Sequence, residues 1–238
     1  MGNDAVTGHV DDFQVWIDDL AFFWKRWTAE TPGPHVLAAH SMGGHIILRA
    51  AAEKYVDPDG IVLSAPMLGF HPAHVPDWIM HGLARLMAAI GDKRRPAWKW
   101  SEKPGQVPKG RAKLLTHDPD RYADEIWWRE HRSELAMGPG SWGWVERAYA
   151  SKRALDRPGL LENLEIPVYV VATDNDALVD YRAIERAVRR LPRGEMFLFG
   201  KEAYHEIFRE EDKIRDLALE GIDGFLSVIA AKGDGPGT

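Results

Sequence analysis

The feature of this sequence that most constrains its fold is a short apolar run that leads into a serine and then into two glycines. Residues 35–39 show no alternation of apolar and polar side chains, which is typical of a strand covered on both faces of a parallel sheet. Residues 40–44 read His-Ser-Met-Gly-Gly, and residues 46–54 have the pattern of a helix. Strand, sharp turn and helix therefore follow in order, as in α/β proteins, whose sites lie beyond the carboxyl ends of the strands.

The same alternation of elements continues along the chain and predicts a mostly parallel sheet flanked by helices. Apolar residues recur at intervals of three and four in the first helical segment, and β-branched or aromatic residues dominate the later strand candidates. Strands are predicted at residues 60–65, 168–171 and 195–199, and helices at residues 11–27, 182–191 and 213–231.

The middle of the chain, residues 69–164, differs from this pattern. It contains many tryptophans and helical patches such as residues 78–90, but no convincing strand. We therefore expect an inserted helical lid there, an α/β core formed by residues 1–68 and 165–232, and a frayed tail at residues 233–238.

Composition and charge exclude several function classes. The 238 residues have a formal net charge of -6, with Lys and Arg spread along the chain, so nucleic acid is not an expected partner. The absence of cysteine excludes a disulfide framework, a thiolate nucleophile and a cysteine zinc site. The start is polar and no stretch approaches about 18 apolar residues, so we expect a cytoplasmic protein.

Ser41 is the candidate nucleophile. A serine hydroxyl attacks a carbonyl only when a base removes its proton and its side chain stands clear of the sheet. The tight strand-to-helix turn that achieves this requires small residues two places before and two places after the serine, and Ala39 and Gly43 occupy those places. The alternative is that Ser41 only caps a helix. The strand before it, the helix after it and the acid and histidine that follow favour the nucleophile.

The candidate general base is His205, which follows the last predicted strand and precedes the closing helix. The acid that orients it should follow the strand at residues 168–171, where Asp174, Asp176 and Asp180 compete. We favour Asp176, because the two apolar residues that follow in the loop can anchor it while the carboxylate reaches the imidazole N–H. Asp174 is the alternative.

Several motifs together resemble a known family. The sequence strings are GHVDDF at residues 8–13, AHSMGG at 39–44, DALV at 176–179, YHEIF at 204–208, and LTHDPDRY at 115–122 with GPGSWGW at 138–144 in the predicted lid. They resemble the serine α/β-hydrolases of the monoacylglycerol lipase and bacterial lysophospholipase branch over nearly the whole chain.

This resemblance implies an α/β-hydrolase fold and hydrolysis of carboxylic esters of glycerol-based lipids through an acyl-enzyme on Ser41. It implies the catalytic residues Ser41, Asp176 and His205, no metal and no organic cofactor. The backbone N–H of Met42 would be one oxyanion donor. The family's second donor follows a strand that precedes the segment at residues 8–13, so we expect an N-terminally truncated fold with an unpaired sheet edge and without that donor.

Two alternatives to a lipid esterase stay open at this point. The first is a non-catalytic remnant of the fold that binds an apolar ligand or a partner. The second is an acyltransferase or a peroxidase-like enzyme that uses the same three residues.

The predicted lid is rich in aromatic residues that could receive an acyl chain, although we favour the interpretation that most of them pack the lid against the sheet. These residues are Phe70, Trp78, Trp98, Trp100, Trp127, Trp128, Trp142 and Trp144. The cluster Lys93, Arg94 and Arg95 beside Trp98 and Trp100 suggests transient contact with anionic lipid at a membrane surface, and a solvated loop is the favoured alternative. The oligomeric state is left open.

Overall fold

The computed structural model describes residues 8–98, 110–132 and 138–233. Its centre is a sheet of four parallel strands in the order β1 (Val36–His40), β2 (Gly60–Ser64), β3 (Val168–Thr173) and β4 (Gly194–Phe199). The register pairs His40 with Ser64 and Ser64 with Val171, so the carboxyl ends of the strands lie side by side. The prediction of a mostly parallel α/β sheet is confirmed.

Eight α-helices and a short 3₁₀-helix surround the sheet in the described part of the chain. The helices are α1 (Gln14–Glu30), α2 (Ser41–Ala52), α3 (Asp77–Ala89), α4 (Ala112–Leu115), α5 (Pro119–His131), α6 (Trp142–Leu155), α7 (Tyr181–Arg190) and α8 (Asp212–Gly233), and the 3₁₀-helix is Ile207–Arg209.

Helices lie on both faces of the sheet, which explains why the inner strands β2 and β3 are buried on both sides. On one face, Ile61 and Leu63 belong to a core that includes residues of α1, α2 and α7. On the other face, Val62 and Val171 pack with residues of α8. All five residues of β2 are buried, as expected for an inner strand of a parallel sheet.

The helix beginnings differ from the predicted ones for identifiable reasons. α1 begins at Gln14 rather than at residue 11, because the Asp12 carboxylate accepts a hydrogen bond from the Gln14 N–H and so ends the preceding turn. α2 begins at Ser41 rather than at residue 46. The sharp turn therefore occupies a single residue, and Gly43 and Gly44 are already helical.

β1 lies at one edge of the sheet. Among the described residues it pairs only with β2, and Ala38 in its middle is exposed. Within the described part of the chain, β1 therefore has one side that no other strand pairs with, as expected from the sequence.

The helices α3 to α6 lie between β2 and β3 in the chain. The described residues of this segment form isolated bridges but no regular strand. α3 packs against α6, burying His81 and Ala84, and most of the rest of α3 is exposed. The predicted helix at residues 78–90 is thus observed as Asp77–Ala89, whereas the domain boundaries stay a prediction.

Candidate active site

Ser41 occupies a strained turn at the carboxyl end of β1. Its φ is 51°, in the left-handed region that residues other than glycine rarely adopt. The Ser41 carbonyl accepts a hydrogen bond of 2.9 Å from the Met67 N–H, which ties the turn to the segment after β2. Such strain is concentrated at functional sites, where the surrounding structure maintains it. The turn has the conformation expected of a nucleophile elbow.

Small residues are required on two sides of this turn. A Cβ atom on Gly43 would lie 3.4 Å from the Cβ of Ala39, so the two places that the sequence analysis identified do face each other. The requirement is stricter at Gly44, where a Cβ would lie 2.9 Å from the Cβ of Pro66. The close approach of Pro66 explains the glycine at position 44, whereas a Cβ at position 43 would be in ordinary contact with Ala39.

His205 connects Ser41 to a carboxylate. Its Nε2 lies 3.1 Å from the Ser41 Oγ, and its Nδ1 lies 2.6 Å from the Asp176 Oδ2. In the tautomer with the proton on Nδ1, the imidazole donates to Asp176 and Nε2 can accept the serine proton. Both His205 and Asp176 are buried, at 3 % and 7 % exposure, so water does not compete for this pair.

The Asp176 carboxylate is held in place by its own loop. Its Oδ1 accepts hydrogen bonds from the N–H groups of Leu178 and Val179, at 2.7 and 3.0 Å. The other oxygen is thereby directed at His205. Val179 is buried and anchors the loop as predicted, whereas the Leu178 side chain is exposed and holds the carboxylate through its backbone N–H.

The other two carboxylates of this loop have different surroundings. Asp174 is exposed. Asp180 is buried and caps α7 by accepting from the Arg182 N–H at 3.0 Å, and it lies 3.4 Å from the Arg186 guanidinium. Of the three candidates, Asp176 is the one whose carboxylate contacts His205. The catalytic roles of these residues remain proposals.

His40, which precedes the serine, is a second histidine at this site. Its ring centroid lies 4.6 Å from that of His205, edge to face. Burial, and after it the neighbouring His205, lowers the pKa of His40 to about 4. His40 is therefore neutral near pH 7 and adds no positive charge beside His205.

Glu210 is a residue that the sequence analysis missed. Its fully buried carboxylate accepts from the Tyr204 N–H at 2.6 Å and from the His117 N–H at 2.9 Å. It thereby joins the loop that bears His205 to the turn between α4 and α5. The Glu206 N–H donates to the Leu115 carbonyl and adds a second link between the same segments. No local pattern marks Glu210, because its partners are distant in the sequence.

A cavity of about 720 Å³ opens above Ser41 and His205, within the size range of small-molecule sites. Its lining is mainly apolar, and Arg111 is the charged residue among the described lining groups, with its Nε 3.2 Å from Glu125. The aromatic residues that line it are Phe70, Trp98, Trp142, Trp144 and Tyr149. The cavity can accommodate an apolar chain next to the serine.

The interpretation that most lid aromatics pack against the sheet is wrong. Trp78, Trp98, Trp127 and Trp128 are between 47 % and 75 % exposed. Phe70, Trp98, Trp142 and Trp144 line the cavity above Ser41, and of these only Phe70 and Trp144 also pack against the core of the sheet. Trp100 lies outside the described residues. Aromatic content predicts the presence of a cavity wall but not which rings form it.

A serine on a strand-to-helix turn, hydrogen-bonded to a buried histidine and carboxylate on a parallel sheet, defines a serine hydrolase with an α/β-hydrolase fold. A family model described as serine aminopeptidase, S33 (Hydrolase_4) matches residues 2–212, and the chain belongs to this family.

Relatives of known name agree with this assignment. Lysophospholipase L2 of Escherichia coli (strain K12) is 29 % identical over 242 residues, covering 94 % of this chain and 67 % of the relative. A probable lysophospholipase L2 of Haemophilus influenzae is 26 % identical over 230 residues, covering 93 % and 69 %. The monoglyceride lipase of Saccharomyces cerevisiae has a similar fold, with a TM-score of 0.71, 20 % identity and coverage of 92 % of this chain and 71 % of that one. The resemblance inferred from the motifs is confirmed.

Within the described ranges, none of the helices is both long enough and apolar enough to span a membrane.

Proposed function

We propose that this protein hydrolyses carboxylic esters of glycerol-based lipids, as a lysophospholipase or monoacylglycerol lipase, through an acyl-enzyme on Ser41. The observation that carries the proposal is the continuous chain of contacts from Ser41 through His205 to Asp176, which opens into an apolar cavity. The names of the relatives support an ester of a glycerol lipid as the substrate.

The geometry supports a two-step reaction. His205 Nε2 takes the proton as the Ser41 Oγ attacks the ester carbonyl, and Asp176 stabilises the imidazolium that forms. The N–H of Met42 stabilises the oxyanion, because it belongs to the first turn of α2, where N–H groups have no acceptor within the helix. His205 then gives the proton to the glycerol oxygen that leaves, and in the second step it activates water, which releases the fatty acid.

The apolar cavity favours an acyl chain over a peptide, although the family description names an aminopeptidase. An aminopeptidase must bind the ammonium group of its substrate, which requires a carboxylate near the scissile bond. The described lining residues of the cavity include no aspartate or glutamate. An uncharged acyl chain needs no such partner.

Labelling with a fluorophosphonate probe tests the proposal. We expect the wild type to be labelled and to release oleate from monooleoylglycerol or from an oleoyl lysophospholipid, and Ser41→Ala to do neither. Labelling that persists in Ser41→Ala would place the nucleophile elsewhere. A chain that is neither labelled nor active would be the non-catalytic alternative, and transfer of oleate to an alcohol without net hydrolysis would indicate an acyltransferase.

We further propose that the enzyme reaches its substrate at a membrane surface through one side of α3. Spacings of four, three and four place Ile79, Leu83, Leu86 and Ile90 on one face of the helix and the residue after it, and these side chains are 42 % to 58 % exposed. A helix with an exposed apolar face can lie in the interface of a bilayer. The surface is beside the cavity, since Met80 of the same helix lines it.

The basic cluster contributes less to this surface than the sequence suggests. Lys93 forms a 2.6 Å ion pair with Asp11, and the Arg95 guanidinium donates to the Met87 carbonyl at 2.6 Å, at the end of α3. Two of the three cations are thus engaged within the protein, and Arg94 is exposed. We therefore assign the membrane contact to the apolar face rather than to the cluster.

Cosedimentation with phospholipid vesicles separates the two contributions. We expect Leu83→Ser/Leu86→Ser to bind vesicles more weakly and to keep its activity on a short soluble ester. Charge reversal at Lys93, Arg94 and Arg95 is the comparison, and its effect is expected to be smaller. Vesicle binding that the apolar substitutions leave unchanged would refute the assignment.

A further inference from the structure

A second cavity, of about 670 Å³, adjoins the catalytic one and has a different chemical character. Its lining concentrates cationic and imidazole groups, whereas the whole chain has a net charge of -6. The polar groups are His71, His74, Arg182, Arg186 and one carboxylate, Asp180. Two arginines and two histidines facing one carboxylate form a local site for an anion.

The wall between the two cavities is built by the loops that follow β2 and β3. Phe70 and Val179 form an antiparallel bridge, and the Asp180 N–H donates to the Gly69 carbonyl at 3.2 Å. These contacts position His71, which lines both cavities. The His71 Nε2 donates to the Asp176 carbonyl at 3.2 Å, so the cationic cavity borders the loop that bears the acid.

The chemistry of ester cleavage fixes which part of the substrate lies on this side. The oxygen of the leaving alcohol must lie within reach of His205 Nε2, because that atom supplies its proton. His71 lines the cavity that contains Ser41 and His205 as well as the cationic cavity. An alcohol portion that extends past His71 therefore enters the cationic cavity, while the acyl chain occupies the aromatic one.

We propose that the cationic cavity binds the phosphate of the leaving glycerol portion, which makes lysophospholipids rather than uncharged monoacylglycerols the preferred substrates. This inference rests on the proposed ester hydrolysis and specifies its substrate. A guanidinium matches a phosphate with two parallel hydrogen bonds. A monoacylglycerol offers no anion to the same groups.

The carboxylate of Asp180 in the cationic cavity already has hydrogen-bond partners within the protein. Asp180 accepts from the Arg182 N–H at the start of α7 and lies 3.4 Å from the Arg186 guanidinium. It orients Arg186 at the edge of the cavity, where the exposed guanidinium of Arg182 is its neighbour along α7. His74 is exposed in the same cavity and can donate a further hydrogen bond, whereas the His71 Nε2–H already donates to the Asp176 carbonyl.

Steady-state kinetics on two substrates with the same acyl chain test the proposal. For Arg182→Gln/Arg186→Gln, kcat/KM on oleoyl lysophosphatidylglycerol should fall about 10- to 100-fold through KM, as for the loss of one or two charge-assisted hydrogen bonds. Activity on monooleoylglycerol should be unchanged. The matched control is Arg189→Gln/Arg193→Gln, which removes the same charge from exposed positions on α7 and just after it and should behave as wild type.

Glycerol 3-phosphate and inorganic phosphate distinguish a headgroup site from a site for free phosphate. We expect glycerol 3-phosphate to compete with the lysophospholipid in the wild type and not in the double variant. Competition by inorganic phosphate alone, with an unchanged preference between the two lipids, would overturn the headgroup assignment.

The failure of this inference differs from a failure of the proposed function. A wild type that hydrolyses both lipids equally, with the double variant equal to it, would refute the phosphate site and leave ester hydrolysis standing. A wild type that hydrolyses neither lipid would refute the proposed function. In that case calorimetry would still test the anion site. The wild type should bind glycerol 3-phosphate, and the Arg182→Gln/Arg186→Gln variant should not.

Discussion

The sheet core and the inserted helices are stabilised by different interactions. In β2 every side chain is buried, whereas in α3 only His81 and Ala84 are. The contact of α3 with α6 depends instead on polar pairs, including His81 with Glu146 at 3.1 Å and Lys152 with Asp77 at 2.8 Å. The stabilisation from burying apolar side chains does not depend on their orientation, whereas the stabilisation from polar and charged pairs depends on their geometry and on their exposure to solvent.

This difference suggests that the sheet core positions the reacting residues and that the inserted helices form the binding cavity. Ser41, Asp176 and His205 all follow strands of the rigid sheet, so their mutual distances are fixed before a substrate binds. The helices α3 to α6 supply most of the aromatic wall of the cavity. We therefore expect changes in the core to alter the chemical step and changes in the inserted helices to alter substrate binding.

The largest effect is expected at the three core residues. Ser41→Ala and His205→Gln should lower kcat by about 10⁴- to 10⁶-fold, and Asp176→Asn by about 10⁴-fold, with the fold intact by circular dichroism. Asp174→Asn, two residues from Asp176 and exposed, is the matched control and should retain wild-type kcat. If Asp174→Asn were the inactive variant, the assignment of the acid would be wrong.

A smaller effect is expected from the glycines of the turn. Gly44→Ala would push a Cβ to 2.9 Å from Pro66 and should lower the free energy of unfolding by about 1–3 kcal/mol, measured in urea. Gly43→Ala meets Ala39 at 3.4 Å and should be tolerated better. If both substitutions destabilised the protein equally, the need for glycine would come from the backbone conformation of the turn rather than from contact with Ala39 or Pro66.

Glu210 tests the point where the core meets the inserted helices. Both Glu210 carboxylate oxygens accept hydrogen bonds from backbone N–H groups, and in Glu210→Gln one of these oxygens becomes an NH₂ group, which cannot accept. We therefore expect the free energy of unfolding to fall by about 1–3 kcal/mol. Because His205 is on the same loop, kcat should fall as well. Glu211→Gln changes the exposed neighbour and is the control. Loss of stability without any change in kcat would show that Glu210 does not position His205.

The sequence predicts the core well because its signals are local. The inner strands β2 and β3 have the apolar runs that two covered faces require, and the order of serine, acid and histidine follows the order of the strands. Asp176 could be favoured over Asp174 because the residues that hold its loop, Leu178 and Val179, follow it closely in the sequence. The beginning of α2 was missed because Gly43 and Gly44 lie in its first turn, although glycine is a poor helix former.

The contacts between core and inserted helices are not local and could not be predicted. Glu210 meets His117, and His71 meets Asp176, over separations of about a hundred residues. The sequence offers either a lipid contact or a solvated loop for the cation cluster at Lys93, and it does not reveal the ion pair with Asp11, which is also distant in the sequence. Charged residues look alike in a sequence whether they face solvent, a partner or a ligand.

The smallest predicted effect concerns His45, which joins the two regions because its Nε2 lies 2.7 Å from the Ser151 Oγ of α6. Burial, with the nearby charges of Arg49 and Lys152, lowers the pKa of His45 from 6.5 to about 3. Between these values the unfolded chain binds a proton that the folded chain does not, so stability must decrease as the pH falls below 6.5. From about pH 7 to about pH 5.5 this amounts to about 1 kcal/mol.

Urea unfolding at the two pH values measures this loss. His45→Gln has no imidazole to titrate and should lose about 1 kcal/mol less than the wild type over the same interval. Ser151→Ala removes the partner but keeps the buried histidine, so its stability should be lower at both pH values with the wild-type dependence on pH. If His45→Gln kept the full dependence on pH, the junction between core and inserted helices would not contribute to it, and His40, whose pKa is also lowered, would be the next residue to replace.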